Sequence, residues 1–205
     1  MERIHPAGLL LTGGASRRMR RDKATIEVGG IPLAVRVARA LAQVAYPVLA
    51  VGNEAETGLP VVDDPREGPL VAFVAGAAEL RARGHDGPIL LVACDLPLIE
   101  AALLEFVAGS LGDADVALPV LDDRDQQLCA CYSQRAAVRA AELVAEGARA
   151  MRDLLDVVEV RRLGEGQWTK AAPAIVLWDV DDPEDLEAIR RSQTLGETDG
   201  RSPDR

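Results

Sequence analysis

Residues 12–23 read Thr-Gly-Gly-Ala-Ser-Arg-Arg-Met-Arg-Arg-Asp-Lys, and Arg17 to Lys23 alone holds five cations and one acid. Ahead of it runs Ala7-Gly8-Leu9-Leu10-Leu11, a short apolar stretch that reads as a strand buried on both faces. Ligands of open α/β sheets bind at loops leaving the C-terminal ends of strands. Glycines in such a loop let main-chain N–H groups approach an anion closely. A cation about 4 Å from a phosphate oxygen gains on the order of 4 kcal/mol at an effective dielectric near 20. The whole chain carries −10, so the +4 of Arg17 to Lys23 leaves −14 spread over the rest. That diffuse charge is screened beyond about 8 Å at physiological salt. Locally the cations win, and the loop is expected to hold a polyphosphate; the bland alternative is a solvated turn. Other phosphate motifs fail on spacing. In a Walker loop Arg18 would have to be the second glycine, and neither Gly13 nor Gly14 opens a G-x-G-x-x-G pattern.

A second group of candidates is acidic. Asp95 directly follows Pro88-Ile89-Leu90-Leu91-Val92-Ala93-Cys94, the other strongly apolar strand. A carboxylate there opens into the same crevice as the glycine loop and is placed to hold Mg²⁺ bridging nucleotide phosphates. The same position also suits an N-cap for the next helix. Asp63-Asp64-Pro65, followed by Gly68-Pro69, reads by itself as an ordinary turn. Asp182 before Pro183 reads as the cap of a final helix. The histidines are only His5 and His85, so zinc chemistry or a Ser-His-Asp triad has little to draw on.

The remaining pattern supplies the frame. Strand-like runs at 25–28, 47–51, 88–94, 115–120, 127–132, 157–160 and 174–178 alternate with helical spacing from Pro32, from Pro69 to about Arg83, and over 101–107, 134–146, 151–155 and 183–189. Asp122-Asp123-Arg124-Asp125 reads as a hairpin or loop. This order predicts an α/β domain with a mainly parallel sheet. A single domain is expected over 1–191, followed by a disordered tail over 192–205, where Leu195 is the one large apolar residue. The acidic balance and 3% aromatic content argue against a nucleic-acid partner. Apolar runs are too short to span a membrane, and three cysteines without metal-site spacing suit a reducing cytoplasm.

Leu11-Thr12-Gly13-Gly14-x-Ser16-Arg17-Arg18-Met19-x-x-Asp22-Lys23 resembles the signature loop of the molybdenum cofactor guanylyltransferases, within the nucleotidyltransferase group. The likeness runs over about residues 7–190. It implies a three-layer, Rossmann-like nucleotidyltransferase fold and transfer of GMP from GTP to molybdenum-bound molybdopterin, with pyrophosphate released. It implies Mg²⁺ on Asp95, nucleotide contacts from Leu11, Thr12, Gly13, Gly14, Lys23, Asp64 and Asp95, and catalytic roles for Arg18, Lys23 and Asp95. Asp179-Val180-Asp181 stands where the family has Asn-x-Asn, so Asp181 is a candidate metal or pterin contact. Gly147-x-Arg149-x-Met151 resembles a pterin-associated segment, and a helix junction explains it equally well. Partners implied are GTP, molybdopterin, and molybdoenzymes or other cofactor-pathway proteins. Three alternatives stand beside this reading. One is the same chemistry with another nucleotide or acceptor, such as CTP with molybdopterin or a sugar phosphate. The others are a non-catalytic GTP- or pterin-binding partner and a domain whose basic loop serves a protein.

Overall fold

A computed structural model describes residues 5–13, 25–52, 56–180, 184–187 and 189. Its strands are β1 (Ala7–Leu11), β2 (Glu27–Val28), β3 (Ile31–Pro32), β4 (Val48–Val51), β5 (Val61–Val62), β6 (Ile89–Ala93), β7 (Val116–Leu121), β8 (Arg124–Asp125), β9 (Cys129–Tyr132) and β10 (Val160–Leu163). Its helices are α1 (Leu33–Leu41), α2 (Pro69–Ala82), α3 (Ala101–Gly109), α4 (Gln134–Ala145), α5 (Met151–Leu155) and α6 (Glu165–Trp168). β1, β4 and β6 are buried at every residue, as continuous apolar runs between two layers of helices should be.

The main sheet runs β10-β7-β9-β6-β1-β4-β5, with β8 pairing on β7 and a separate β2–β3 ribbon. Its pairs are parallel except where β9 lies antiparallel between β6 and β7, and at the β7–β8 hairpin. Side chains alternate across it. Leu9 and Leu11 enter the apolar cluster under α2, α4 and α5, whereas Leu10 enters the one under α1 and α3. Two glycines allow this close layering. A Cβ on Gly8 would meet Leu41 Cγ at 2.8 Å, and one on Gly76 would meet Leu9 Cδ1 at 2.8 Å. The expected α/β fold with three layers and a mainly parallel sheet is what the chain forms.

Several local expectations need correction. Ala174–Leu177 is a 3-10 turn, not a strand: Val176 N–H bonds to Pro173, and Val176 and Leu177 are buried in the α1–α3 layer. The apolar run served burial without serving a sheet. The strand expected at 157–160 begins at Val160, where it pairs with Val116. Pro32 belongs to β3 and precedes α1, not its first turn. α6 had no periodic signal; its buried Trp168 donates Nε1–H to Val120 O at 3.1 Å. Asp122 and Asp123 both have positive φ, as a two-residue hairpin turn requires. The expected tail, 192–205, lies outside the described residues.

Asp115 pins three elements where β7 begins. Its Oδ1 accepts from Arg135 Nε at 2.8 Å and from Ser133 Oγ at 3.3 Å, and its Oδ2 accepts from Glu159 N at 3.2 Å. Burial works against the ionised form, but Arg135 and these donors outweigh it and hold the carboxyl below the usual range. A carboxyl with a lowered folded-state pKa stabilises the fold above its unfolded value and loses that contribution as pH falls through the folded one. The difference in melting temperature between pH 7 and pH 3 is therefore expected to shrink in Asp115→Asn, with the loss falling at neutral pH. An unchanged difference would exclude this clamp.

Candidate active site at the C-terminal edge of the sheet

The chain leaves β1, then fills β4 and β5 on one side before crossing to β6 on the other. The crevice at such a reversal, outside the C-terminal ends of the strands, is where open α/β sheets bind ligands. Here the reversal falls between β1 and β6, which pair in register from Ala7↔Ile89 to Leu11↔Ala93. Cys94 N–H then bonds to Leu11 O at 3.0 Å, so the glycine loop and Asp95 leave the sheet side by side.

On the β4 side the exits interlock. Thr12 N–H and Gly13 N–H both bond to Val51 O, at 2.9 and 3.3 Å, and Gly52 N–H bonds to Val62 O at 3.0 Å. The Thr12 hydroxyl also donates to Val51 O at 3.3 Å, which explains how a hydroxyl is tolerated at 2% exposure. Asp64 is drawn against this backbone. A Cβ on Gly13 would meet Asp64 Cγ at 3.2 Å and collide with Oδ2. The other oxygen, Oδ1, accepts from Arg66 N at 2.8 Å, fixing the turn that carries the carboxylate. Asp63-Asp64-Pro65 is thus a turn, as its residues suggest, and it brings Asp64 against the main chain that follows β1.

Asp95 is half-buried and held by its main chain: its carbonyl accepts from Val180 N–H at 2.9 Å. It does not cap the following helix, because Glu100 occupies that position. Asp95 lines a cleft of about 630 Å³ together with Leu96, Gln126, Gln127, Trp178 and Asp179. Asp122, Asp125 and Asp185 also line it, making the described walls mostly anionic, with Arg124 the cation among them. Asp125 is neutralised by Arg162, which reaches it with Nε at 3.0 Å and Nη2 at 2.9 Å. Such a field favours a divalent cation.

Leu11, Thr12, Gly13, Asp64 and Asp95 are therefore brought to one edge. Gly14, Ser16, Arg17, Arg18, Lys23 and Asp181 lie outside the described residues. Arg149 serves a junction instead: its Nη1 donates to Val144 O and Ala148 O, and its Nη2 lies 3.0 Å from Glu67. Sequence reasoning passed over Gln127, Trp178 and Gly52. Paired glutamines after a tight acidic turn were the available signal for the first. Cys94, Cys129 and Cys131 are buried and none is in a disulfide. Burial pushes Cys129 and Cys131 up to about 12, so neither is a nucleophile at neutral pH.

Several known proteins are similar to this chain in sequence or fold. A protein from Nostoc sp. named a probable molybdenum cofactor guanylyltransferase is 32% identical over 207 residues, covering 95% of this chain and 93% of that protein. One of the same name from Mycobacterium tuberculosis is 37% identical over 169 residues, covering 77% of this chain and 82% of that one. Among solved structures, molybdopterin-guanine dinucleotide biosynthesis protein A from Archaeoglobus fulgidus superposes with a TM-score of 0.77 at 20% identity, covering 92% of this chain and 99% of that chain. The 2-C-methyl-D-erythritol 4-phosphate cytidylyltransferase of Thermus thermophilus gives 0.65 at 18% identity, covering 92% and 99%. Residues 8–164 match the MobA-like NTP transferase domain, and the chain belongs to that family of nucleotidyltransferases.

Proposed function

We propose that the chain transfers GMP from GTP to the terminal phosphate of molybdenum-bound molybdopterin, giving the guanine dinucleotide cofactor and pyrophosphate. The observation that supports this is that Gly13, packed against Asp64, and Asp95 leave the sheet at the same C-terminal edge, from the adjacent parallel strands β1 and β6. The names of the relatives support the choice of nucleotide and acceptor. An acceptor phosphate oxygen attacks the α-phosphorus, forming a P–O–P bond. The α–β bond breaks, and its electron pair leaves on pyrophosphate. The attacking oxygen is already anionic, so no strong general base is needed, in keeping with a chain that has two histidines.

Magnesium requires only one or two carboxylates when substrate phosphates and water complete its shell. Asp95, a hard oxygen donor on an anionic cleft wall, fits that requirement. Bound there, the ion would neutralise charge on the nucleotide phosphates. The chain's own contribution is alignment and electrostatics. The main chain of Leu11 to Gly14 orients the nucleotide and Asp64 contacts it. Arg18 and Lys23 stabilise the charge that builds on the leaving pyrophosphate, and Asp181 meets the ion or the pterin. A cytoplasmic location belongs to the same proposal, supported by thiols outside any disulfide. No helix among the described residues is long and apolar enough to cross a membrane.

A second reading keeps the chemistry and changes the nucleotide or acceptor; the aspartates at 179 and 181 favour it. Incubation with molybdate-loaded molybdopterin and each labelled nucleoside triphosphate separates the two. The guanine dinucleotide is the expected product. A dinucleotide from CTP instead selects the second reading, and binding of GTP without pyrophosphate release from any acceptor overturns both.

A further inference from the structure

Asp95 occupies the fourth of five places in an ordered row. Reading across the C-terminal edge of the sheet, Gly52 and Asp64 follow β4 and β5, Gly13 follows β1, Asp95 follows β6, and Gln127 precedes β9. Neighbouring strands lie about 4.8 Å apart. Gln127 is thus one strand beyond Asp95 on the side away from the glycine loop. The registration is direct, because Ala93 N–H bonds to Leu128 O at 2.8 Å and Val92 pairs with Cys129.

Gln127 is also held there. Tyr132, fully buried and packed on Phe73 with ring centroids 4.8 Å apart, donates its hydroxyl to Gln127 O at 2.7 Å. Cys129 N–H fixes the preceding carbonyl, Gln126 O, at 2.9 Å. Yet Gln127 Oε1 is enclosed and accepts no hydrogen bond; among the described residues it is the one buried side-chain polar atom in that condition. An enclosed acceptor without a donor opposes folding, and orphans of this kind are kept where a ligand supplies the missing partner. Trp178 lines the same cleft with 47% of its surface exposed, a large aromatic ring left open beside a polar group.

We infer that Gln127 and Trp178 form the acceptor end of the cleft and recognise a planar heterocycle carrying an amide-like edge. This rests on the transfer reaction proposed above, in which the acceptor is a pterin. The pyrimidinone ring of a pterin presents N–H donors beside a carbonyl, which is the complement of a carboxamide. Its flat face suits stacking on Trp178. Asp95 then lies between the two substrates: the nucleotide is held toward Gly13 and Asp64, and the pterin ring toward Gln127.

The test measures binding of two probes separately, GTP and a phosphorylated 6-hydroxymethylpterin, by fluorescence titration of the full chain. In Gln127→Met, of similar length and without the amide, the pterin Kd is expected to rise about tenfold while GTP affinity stays within about twofold. The ligand-free protein is expected to melt about 2 °C higher or more, since the orphan oxygen is gone. Trp178→Ala is expected to weaken the pterin about tenfold, and Trp178→Phe to restore most of that loss. Unchanged pterin affinity in Gln127→Met and Trp178→Ala overturns the inference, as does a wild-type protein that binds no pterin. An equal fall in GTP affinity overturns it too. Should the wild-type protein bind the pterin yet make no dinucleotide from GTP, the proposed reaction fails while the assignment of this end of the cleft stands. Dinucleotide synthesis with an unaltered acceptor KM in Gln127→Met does the reverse, sparing the reaction and overturning the assignment.

Discussion

Asp95→Ala is expected to lower the rate of pyrophosphate release at least ~10²-fold, and Lys23→Ala to do the same, the scale of losing one preorganised electrostatic stabiliser. The two act on different charges. Asp95 would hold a cation that offsets the charge of the nucleotide phosphates, and Lys23 would meet the charge that grows on the leaving group. Loss of the Asp95 carboxylate should not unfold the protein. Main-chain hydrogen bonds from Cys94 N–H to Leu11 O and from Val180 N–H to Asp95 O help to place residue 95, and these survive truncation of the side chain. Asp95→Asn keeps the shape and removes the charge, and its rate should follow Asp95→Ala. Steady-state pyrophosphate release with GTP and molybdopterin, beside melting curves for each variant, decides the matter. A folded Asp95→Asn protein retaining more than half of the wild-type rate would sink the metal-holding role. A folded Lys23→Ala protein that did the same would remove the cation from the chemistry.

The layers of this molecule were legible because their signals are local. Leu9-Leu10-Leu11 and Ile89-Leu90-Leu91-Val92 are apolar at every position, which only a strand covered on both faces can accommodate. Asp95 was legible for a related reason: a carboxylate at the end of such a strand has few places to go. What could not be read is what depends on strand order. The hairpin reading of Asp122-Asp123-Arg124-Asp125 allowed β9 to run against β7, but nothing in Cys129-Ala130-Cys131-Tyr132 announces that it inserts between β7 and β6. That insertion is what carries Gln127 to the cleft, so Gln127 read only as the start of a strand. Ala174–Leu177 misled for the opposite reason. Its β-branched, apolar residues fit a strand, but they fill the layer beside α1 and α3 as a 3-10 turn. Asp64 lay between these cases. Its turn was plain from Asp-Asp-Pro, whereas its approach to Gly13 required the pairing of β4 with both β1 and β5.

In the sequence Gly52 only ends a strand, yet it is where the largest effect on both stability and nucleotide binding is expected. Its φ is +129°, a conformation that L side chains rarely adopt. A Cβ there would collide with Gly13 N and would stand 2.7 Å from Gly13 Cα and 2.9 Å from Thr12 C. These are backbone atoms that cannot swing aside. Thr12 and Gly13 are both tied to Val51 O, one residue before Gly52, so any retreat breaks the junction that sets the glycine loop. Gly52→Ala should therefore cost at least about 2 kcal/mol, lowering Tm by about 4 °C or more. In the fraction that still folds, displacement of Gly13 should abolish detectable GTP binding. Gly58→Ala provides the comparison. Gly58 also has a positive φ, +70°, but a Cβ added there would find nothing within 4 Å, so it should lose a little stability and keep its GTP affinity. If Gly52→Ala melted and bound GTP like Gly58→Ala, the contact between the β1 and β4 exits would not be what shapes the nucleotide end of the cleft.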